Sequence, residues 1–462
     1  MIDLKELRKT HQYYSTFYPA WDLFYRSYFG GQIYLDGGYL IKLPAESEMK
    51  YAARRGLAYF FNYCRPIVNI YINFLMSKRV TRDFGRLAKD KTLEAFKQDV
   101  SYDGVPLQRF MRDAATRASY YGHVGIIVTK GSTIGLNSKQ DEIDAGIRPY
   151  AYIVNPPDIY DWAYTREPNG RVRLTYLKIK ESDDPERYRI YLPDRWMVYE
   201  VAKAGGQQQI RRVAGGLNEI REIPFVLLYN RPTDIRMIGL SDLNDIAYIN
   251  KAIFNVASWD DEDFKYSCFN MLETDEKPPG QKTNPADDIV GVGVIKERDP
   301  DKPNSGWRWI EAPKGSAERA EKWFERRIKE IYRLAMMGGV VTGDTKQAMS
   351  GYAKTIDFQE LGAAIIEKAN NVEAAENAIF RLYARYQGEE WDGNIDYPDN
   401  FNVDDLATEI DNAIKAVTLQ LGMTANQEIK KRIAKRLLPK LNPDKLKKIE
   451  DEIENQKVKP GE

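Results

Sequence analysis

Asn230-Arg231-Pro232, then Gly239-Leu240-Ser241-Asp242-Leu243, then Met336-Met337-Gly338-Gly339-Val340-Val341-Thr342-Gly343-Asp344-Thr345-Lys346-Gln347-Ala348-Met349-Ser350-Gly351-Tyr352 punctuate residues 230–386, and the reading of the chain turns on them. Ser241 is placed to cap a helix with apolar positions Leu243, Ile246, Ala247, Ile253, Phe254, Ala257 and Phe264. Over 241–265 that helix would reach about 37 Å at 1.5 Å per residue. Short strands and turns follow: 267–272, 289–295 and 307–310, joined by Pro278-Pro279-Gly280 and the segment 299–306. A second helix, 316–337, has Ala317, Ala320, Phe324, Ile328, Ile331 and Ala335 as its stripe, with Glu318/Lys322 and Glu325/Lys329 spaced as i,i+4 pairs.

Glycines at 338, 339, 343 and 351 keep the next segment from being regular helix throughout. Gly338-x-x-x-x-Gly343-Asp344-Thr345 comes within one residue of a phosphate-binding loop. It fails that test twice. Asp344 stands where a lysine must reach the phosphates, and the loop joins two helices where a strand must precede it. The helix beyond keeps a stripe from Phe358 through Leu361, Ile365, Val372, Ala375 and Ile379 to Tyr386, about 50 Å long. A helix of that length crosses between layers or lines an assembly.

Working outward, aromatic residues crowd the start of the chain, from Tyr13 and Tyr14 to Tyr28 and Phe29, partly at helical spacing. From Met49 to Lys78 the positions Leu57, Phe60, Cys64, Ile67, Val68, Tyr71 and Leu75 repeat at i+3 and i+4, with Pro66 expected to kink or split the helix. Pro106 opens another helix and Gly122 closes it, followed by a strand over 124–129. The β-branched and aromatic runs 150–154, 171–179, 187–192, 196–201 and 225–229, separated by Asn169-Gly170, Pro193-Asp194 and Gly205-Gly206, predict antiparallel hairpins. After a linker at 391–400, helices are expected over 403–421, 425–438 and 443–456.

Composition narrows the function. The 462 residues carry equal numbers of basic and acidic side chains, so no surface-wide grip on nucleic acid is implied. The longest apolar runs, such as 70–76, fall far short of the roughly 20 residues that span a bilayer, and the start reads as no signal peptide. A cytoplasmic site of synthesis and no membrane partner are therefore expected. With two histidines, His11 and His123, and two cysteines, Cys64 and Cys268, no zinc site, disulfide framework or catalytic triad can be argued, and both thiols are expected to be buried. His123, in Tyr121-Gly122-His123-Val124, reads as structural. No cofactor, metal or catalytic residue is expected.

The order of elements, with Asn-Arg-Pro leading into Gly239-Leu240-Ser241-Asp242-Leu243 and a glycine-rich loop ending Ser350-Gly351-Tyr352-Ala353, resembles the portal proteins of tailed double-stranded DNA bacteriophages. The likeness runs from about residue 54 onward and is sharpest over 229–386. It implies an α+β, portal-like subunit: a wing of helices and antiparallel β over 1–240, stem helices over 241–265 and 314–335, and a clip over 266–313. A tunnel loop over 336–352, a long helix returning through the wing over 353–400, and a helical crown over 401–462 complete it. The resemblance further implies a ring, usually of twelve subunits, at one capsid vertex of the virion, assembled in the host cytoplasm, passing double-stranded DNA without reading its sequence. Terminase, tail adaptor and major capsid or scaffold protein would be its partners. Thr342, Asp344, Thr345, Lys346, Gln347 and Ser350 would face the DNA channel; Lys322, Glu325, Arg326 and Lys329 would bridge neighbouring stems or face the tunnel; Asp287, Asp288, Arg298 and Trp307 would dock partners. The alternatives are a nucleic-acid-processing enzyme subunit and a scaffold or adaptor without a channel.

Overall fold

The computed structural model describes residues 3–133, 135–136, 138–204, 207–268, 271–273, 308–310, 315–337, 351–399, 401, 426–428, 430–431, 434 and 443–454. Residues 1–401 form one compact unit and 402–462 another. In order, the first unit holds α1 (Leu4–Arg8), α2 (Gln12–Phe29), α3 (Gly31–Leu35), α4 (Glu48–Leu57), α5 (Cys64–Leu75), β1 (Thr81–Asp83), α6 (Leu93–Gln98), α7 (Leu107–Tyr121), β2 (His123–Lys130), α8 (Lys139–Asp144) and β3 (Pro149–Val154). It continues with β4 (Ile159–Arg166), β5 (Val172–Asp183), β6 (Glu186–Tyr191), β7 (Arg195–Ala204), β8 (Gln207–Leu217), β9 (Phe225–Tyr229), α9 (Ile246–Cys268), β10 (Met271–Glu273), β11 (Arg308–Ile310), α10 (Gly315–Leu334), α11 (Gly351–Tyr386) and β12 (Asn394–Asp396). The second unit contains α12 (Pro443–Glu454).

The fold is α+β, and its β structure is antiparallel throughout the described ladders. A three-stranded sheet runs in the order β3-β2-β9, and a five-stranded meander in the order β4-β5-β6-β7-β8. β2 is apolar on both faces, and its residues from His123 to Val128 are buried, because α7 and α11 both pack against it. α7 begins after Pro106 and ends at Gly122, which takes φ +100°. The main core joins α2, α5, α7, both sheets and α11, with Trp21, Phe24, Tyr71, Phe110, Ile127, Ile179, Ile365 and Phe380 among its buried residues. A smaller cluster of Leu7, Tyr188, Ile190 and Val201 lies between α1 and the meander. There Arg8 grips Glu186 with two bonds, of 2.8 and 2.5 Å.

Several expectations need correction. The split anticipated within 49–78 falls before Pro66 rather than at it: α4 ends at Leu57 and α5 opens at Cys64, so Pro66 sits in the first turn of α5 where its missing N–H costs nothing. β4 and β8 had no sequence reading. β8 is mostly exposed, and it pairs with β7 through main-chain bonds that need no apolar side chains. The 391–400 linker contains β12, which pairs with β1 in register Arg82↔Ile395.

Ser241 does not cap a helix that starts beside it. Residues 242–245 form turns, and α9 starts at Ile246. α9 also runs through Cys268, where a strand was expected from 267. Its stripe of Ile246, Ala247, Ile253, Phe254 and Ala257 is buried, each large residue contributing about 1.5–3 kcal/mol. Phe264, expected on the same stripe, is 70% exposed, so the far end of α9 has left the core. Cys64 is fully buried, and burial pushes its thiol up, as befits an inert side chain; the side chain of Cys268 lies outside the described residues. The helices expected over 403–421 and 425–438 lie largely outside the described residues, as do 274–307.

Candidate functional site

α9 and α10 pack on each other, and their outer ends are joined by the β10–β11 ladder in register Leu272↔Trp309. Since β10 follows α9 and β11 precedes α10, the two helices run in opposite directions. The chain therefore leaves its main body along one helix and returns along the other. α10 ends at Leu334 in a tight turn: Met336 takes φ +55°, and the Met337 amide donates to the Tyr332 carbonyl at 2.9 Å. Gly338 follows in the sequence, so the glycine-rich segment is entered where helix geometry has already been broken.

A buried polar cluster fixes the inner ends of these helices. The Lys368 ammonium, from α11, donates to both carboxylate oxygens of Asp242 at 2.8 and 2.6 Å and also to Asn230 Oδ1. Asn230 Nδ2 donates to Asp242 Oδ1 at 3.1 Å and to the Leu240 carbonyl at 2.9 Å, while Ser119 Oγ donates to Asp242 Oδ2 at 2.5 Å. Asn371 Nδ2 donates to the Asn230 carbonyl at 3.0 Å. Burial lowers the Lys368 pKa, and Asp242 opposes that shift. Lys368 also lies 5.1 Å from the ring centroid of Tyr71, whose hydroxyl donates at 2.6 Å to the Ala335 carbonyl after α10. Arg231 Nη2 stands 3.9 Å from Asp242 Oδ1 as a second, more distant cation, with its Nε buried and without a hydrogen-bond partner, so the lead into α9, the exit from α10 and the middle of α11 meet at one polar cluster.

The sequence carried a signal for this cluster that the reading missed. Lys368 falls three residues after Ile365 and four before Val372, squarely on the apolar stripe, where a cation needs a buried partner. Glu376 repeats the pattern: it is fully buried, bonded to Arg82 Nε at 2.5 Å and to the Tyr397 hydroxyl at 2.6 Å. Asn250 and Asn255 do the same on α9, holding the backbone of Phe61, Tyr63, Tyr39 and Ile41.

Beside the cluster, Gly122 and Gly239 cross back to back. A Cβ on Gly122 would sit 2.2 Å from the Gly239 carbonyl oxygen, and one on Gly239 would sit 2.1 Å from that of Gly122. His123 Nδ1 accepts from the Gly239 amide at 3.2 Å, and burial holds its pKa down at about 3. That is the structural role expected for it.

Lys322, Glu325, Arg326 and Lys329 all lie exposed on α10, on the side away from buried Ile331 and Ala335. On α10, Glu330 and Arg333 form an ion pair at 2.6 Å, and Arg327 lies over the Trp323 ring at 5.4 Å. The residues expected to face the channel, Thr342, Asp344, Thr345, Lys346, Gln347 and Ser350, and those expected to dock partners, Asp287, Asp288, Arg298 and Trp307, lie outside the described residues. Among the described residues no group of three or more His, Cys, Asp or Glu is arranged to hold a metal ion, and no helix is long and apolar enough to cross a membrane.

No protein family matches the sequence, and no curated protein matches it. Among solved structures the chain is similar to one from the virion of a native gene transfer agent particle, at 12% identity over 82% of this chain and 89% of that one, with a TM-score of 0.42. It is also similar to a chain from the neck of an empty gene transfer agent particle computed with C6 symmetry, at 11% identity over 76% and 85%, TM-score 0.43. A chain from the neck of the native particle computed with C12 symmetry gives 10% identity over 82% and 89%, TM-score 0.42.

Proposed function

We propose that this chain is a portal subunit of a phage-like particle: it forms a ring of about twelve copies at one capsid vertex, and the axial channel of the ring passes double-stranded DNA during packaging and ejection. The observation that carries this reading is the antiparallel pair α9 and α10, which leaves the main body at Asp242, is tied at its outer end by β10–β11, and returns at Ala335 directly before the glycine-rich loop and the 36-residue α11. In this reading α9 and α10 are the stem, and residues 266–313 are the clip that docks terminase and then tail adaptor, using Asp287, Asp288, Arg298 and Trp307.

The loop 336–352 is the DNA-facing constriction. Lys346 is its only cation from Gly338 to Gly351, so a ring presents one belt of positive charge beside one of Asp344. A conduit must touch phosphate without holding it, since each neutralised phosphate adds affinity that translocation must undo. Thr342, Thr345, Gln347 and Ser350 supply backbone-directed contacts with no base readout. Large apolar side chains left in solvent on α4 and α9, with Met49 84%, Leu57 60% and Phe264 70% exposed, support assembly with further copies, and exposed Lys322, Glu325, Arg326 and Lys329 are available to bridge neighbouring stems.

Packaging by particles assembled with and without the chain tests the function. Particles lacking it should hold no DNA, and those given Lys346→Glu should assemble but retain less DNA than wild type. Full packaging without the chain would refute the portal reading.

A further inference from the structure

Between α5 and α6 the neutral chain concentrates positive charge: from Ser77 to Lys91 there are six Lys or Arg residues and two Asp. The fold gathers part of this run into an open pocket of about 600 Å³. Ser77, Lys78, Arg79, Arg82, Lys97 and Gln108 are its polar lining, and no carboxylate belongs to it. Four cations in one concavity, supplied by the α5 exit, β1 and α6, with Gln108 of α7 beside them, form a site no requirement of the fold explains fully.

The fold does use some of these groups. Arg82 is anchored by Glu376 from behind the pocket, and Lys97 pairs with Glu94 at 2.5 Å while lying 5.3 Å from the Phe84 ring centroid. Lys78 lies 6.0 Å from the Phe401 ring centroid. Arg79 is exposed and forms no ion pair among the described residues. Cations at a helix C-terminus are favoured by the exposed carbonyls, and Arg82 and Lys97 have their own carboxylate partners; what the fold leaves unexplained is that all four side chains line one concavity, with Arg79 exposed in it.

We propose that this pocket binds phosphate groups. Arg79 supplies a planar fork that matches two phosphate oxygens, Lys97 a point charge held in place by Glu94, and the Gln108 amide a neutral hydrogen bond, while the Ser77 hydroxyl is already committed to the Phe74 carbonyl at 2.7 Å. The anchored Arg82 gives the site a fixed back wall. Nothing in the lining is placed to read a base, so a nucleic-acid backbone would be held without sequence preference. The phosphate has two sources, the phosphodiester backbone of duplex DNA or free inorganic phosphate. This inference stands apart from the portal reading, because the pocket is far in sequence from the loop at 336–352 and needs no ring.

The test is binding of a short labelled DNA duplex to the full chain across a salt series, alongside thermal shift with millimolar inorganic phosphate. Arg79→Glu/Lys97→Glu is compared with Lys5→Glu/Lys9→Glu, which changes the net charge equally at two exposed lysines, one on α1 and one just after it. If backbone phosphate is the ligand, the pocket variant alone should lose about tenfold or more in duplex affinity, and its log–log salt slope should become shallower by about two. If free phosphate is the ligand, the pocket variant alone should lose the phosphate-induced thermal shift while duplex binding stays the same. Equal behaviour of the two variants toward both ligands would overturn the proposal. Ring formation, read separately by particle size, would be unaffected by that failure.

Discussion

Lys368 and Asp242, 126 residues apart in sequence, form an ion pair of 2.6 Å with both side chains almost fully buried. The pair joins the lead into α9 to the middle of α11. Replacing Lys368 by Met should leave the buried Asp242 carboxylate with the neutral donors Ser119 and Asn230 and with Arg231, 3.9 Å away, as its remaining cation, and cost about 3 kcal/mol in denaturant unfolding. The double change Lys368→Met/Asp242→Asn should recover part of that loss, since no charge is stranded. A single variant within about 1 kcal/mol of wild type would show that water or rearrangement satisfies Asp242.

The Gly122–Gly239 crossing makes a sharper steric prediction. Gly122→Ala adds a Cβ at φ +100° and 2.2 Å from a backbone oxygen, so the strand β2 or the 239–241 segment must move. A loss of about 2 kcal/mol or more is expected, measured by thermal or denaturant unfolding. Gly38→Ala, also at positive φ but with open space around its Cβ, should cost less; equal losses would remove the crossing as the cause.

His123 gives the fold a pH dependence with a definite sign. Its folded-state pKa is about 3 against 6.5 for an unperturbed imidazole, because burial disfavours the charged form. Its contribution is therefore complete above about 6.5 and is lost as pH falls toward 3, at about 1.4 kcal/mol per pH unit. In His123→Gln the slope of unfolding free energy between pH 6 and 5 should be shallower by about that amount. An unchanged slope would mean His123 is protonated in the folded state.

On α10 the stripe is graded. Ile331 is fully buried and Ile328 half-buried, so Ile331→Asp should destabilise by several kcal/mol, roughly 3 or more, and Ile328→Asp by less. Circular dichroism melting curves check the order; a milder effect at Ile331 would misassign the helix face.

Long periodic elements were legible because their stripes repeat over many turns. α7 with its Pro106 and Gly122 ends, α10 and α11 fall where the spacing of Phe110, Ile331 and Ile379 predicts, and β9 matches at both ends. β8 was not legible: Gln207-Gln208-Gln209 and Gly215-Gly216 have no strand signature, and pairing with β7 alone forms the strand. Ser241 shows a partial reading. Its hydroxyl does accept from a nearby amide, Leu243 at 2.9 Å, yet that amide belongs to a turn, because Asp242 is drawn inward to Lys368. Lys368 itself was passed over because a cation at helical spacing reads as a surface position until its neighbours on the stripe are counted. Lys322, Glu325, Arg326 and Lys329 could be placed on α10 from their spacing, whereas which of them would meet a neighbouring copy depends on an assembly that one chain's periodicity does not encode.

In the proposed function, copies of this chain close into a ring around a channel. Electron-microscope class averages of the purified full-length chain, with particle mass measured in parallel, test it most directly. Rings of ten or more subunits with a central hole are the predicted result. A stable monomer, or a small oligomer without an axial opening, would contradict the account.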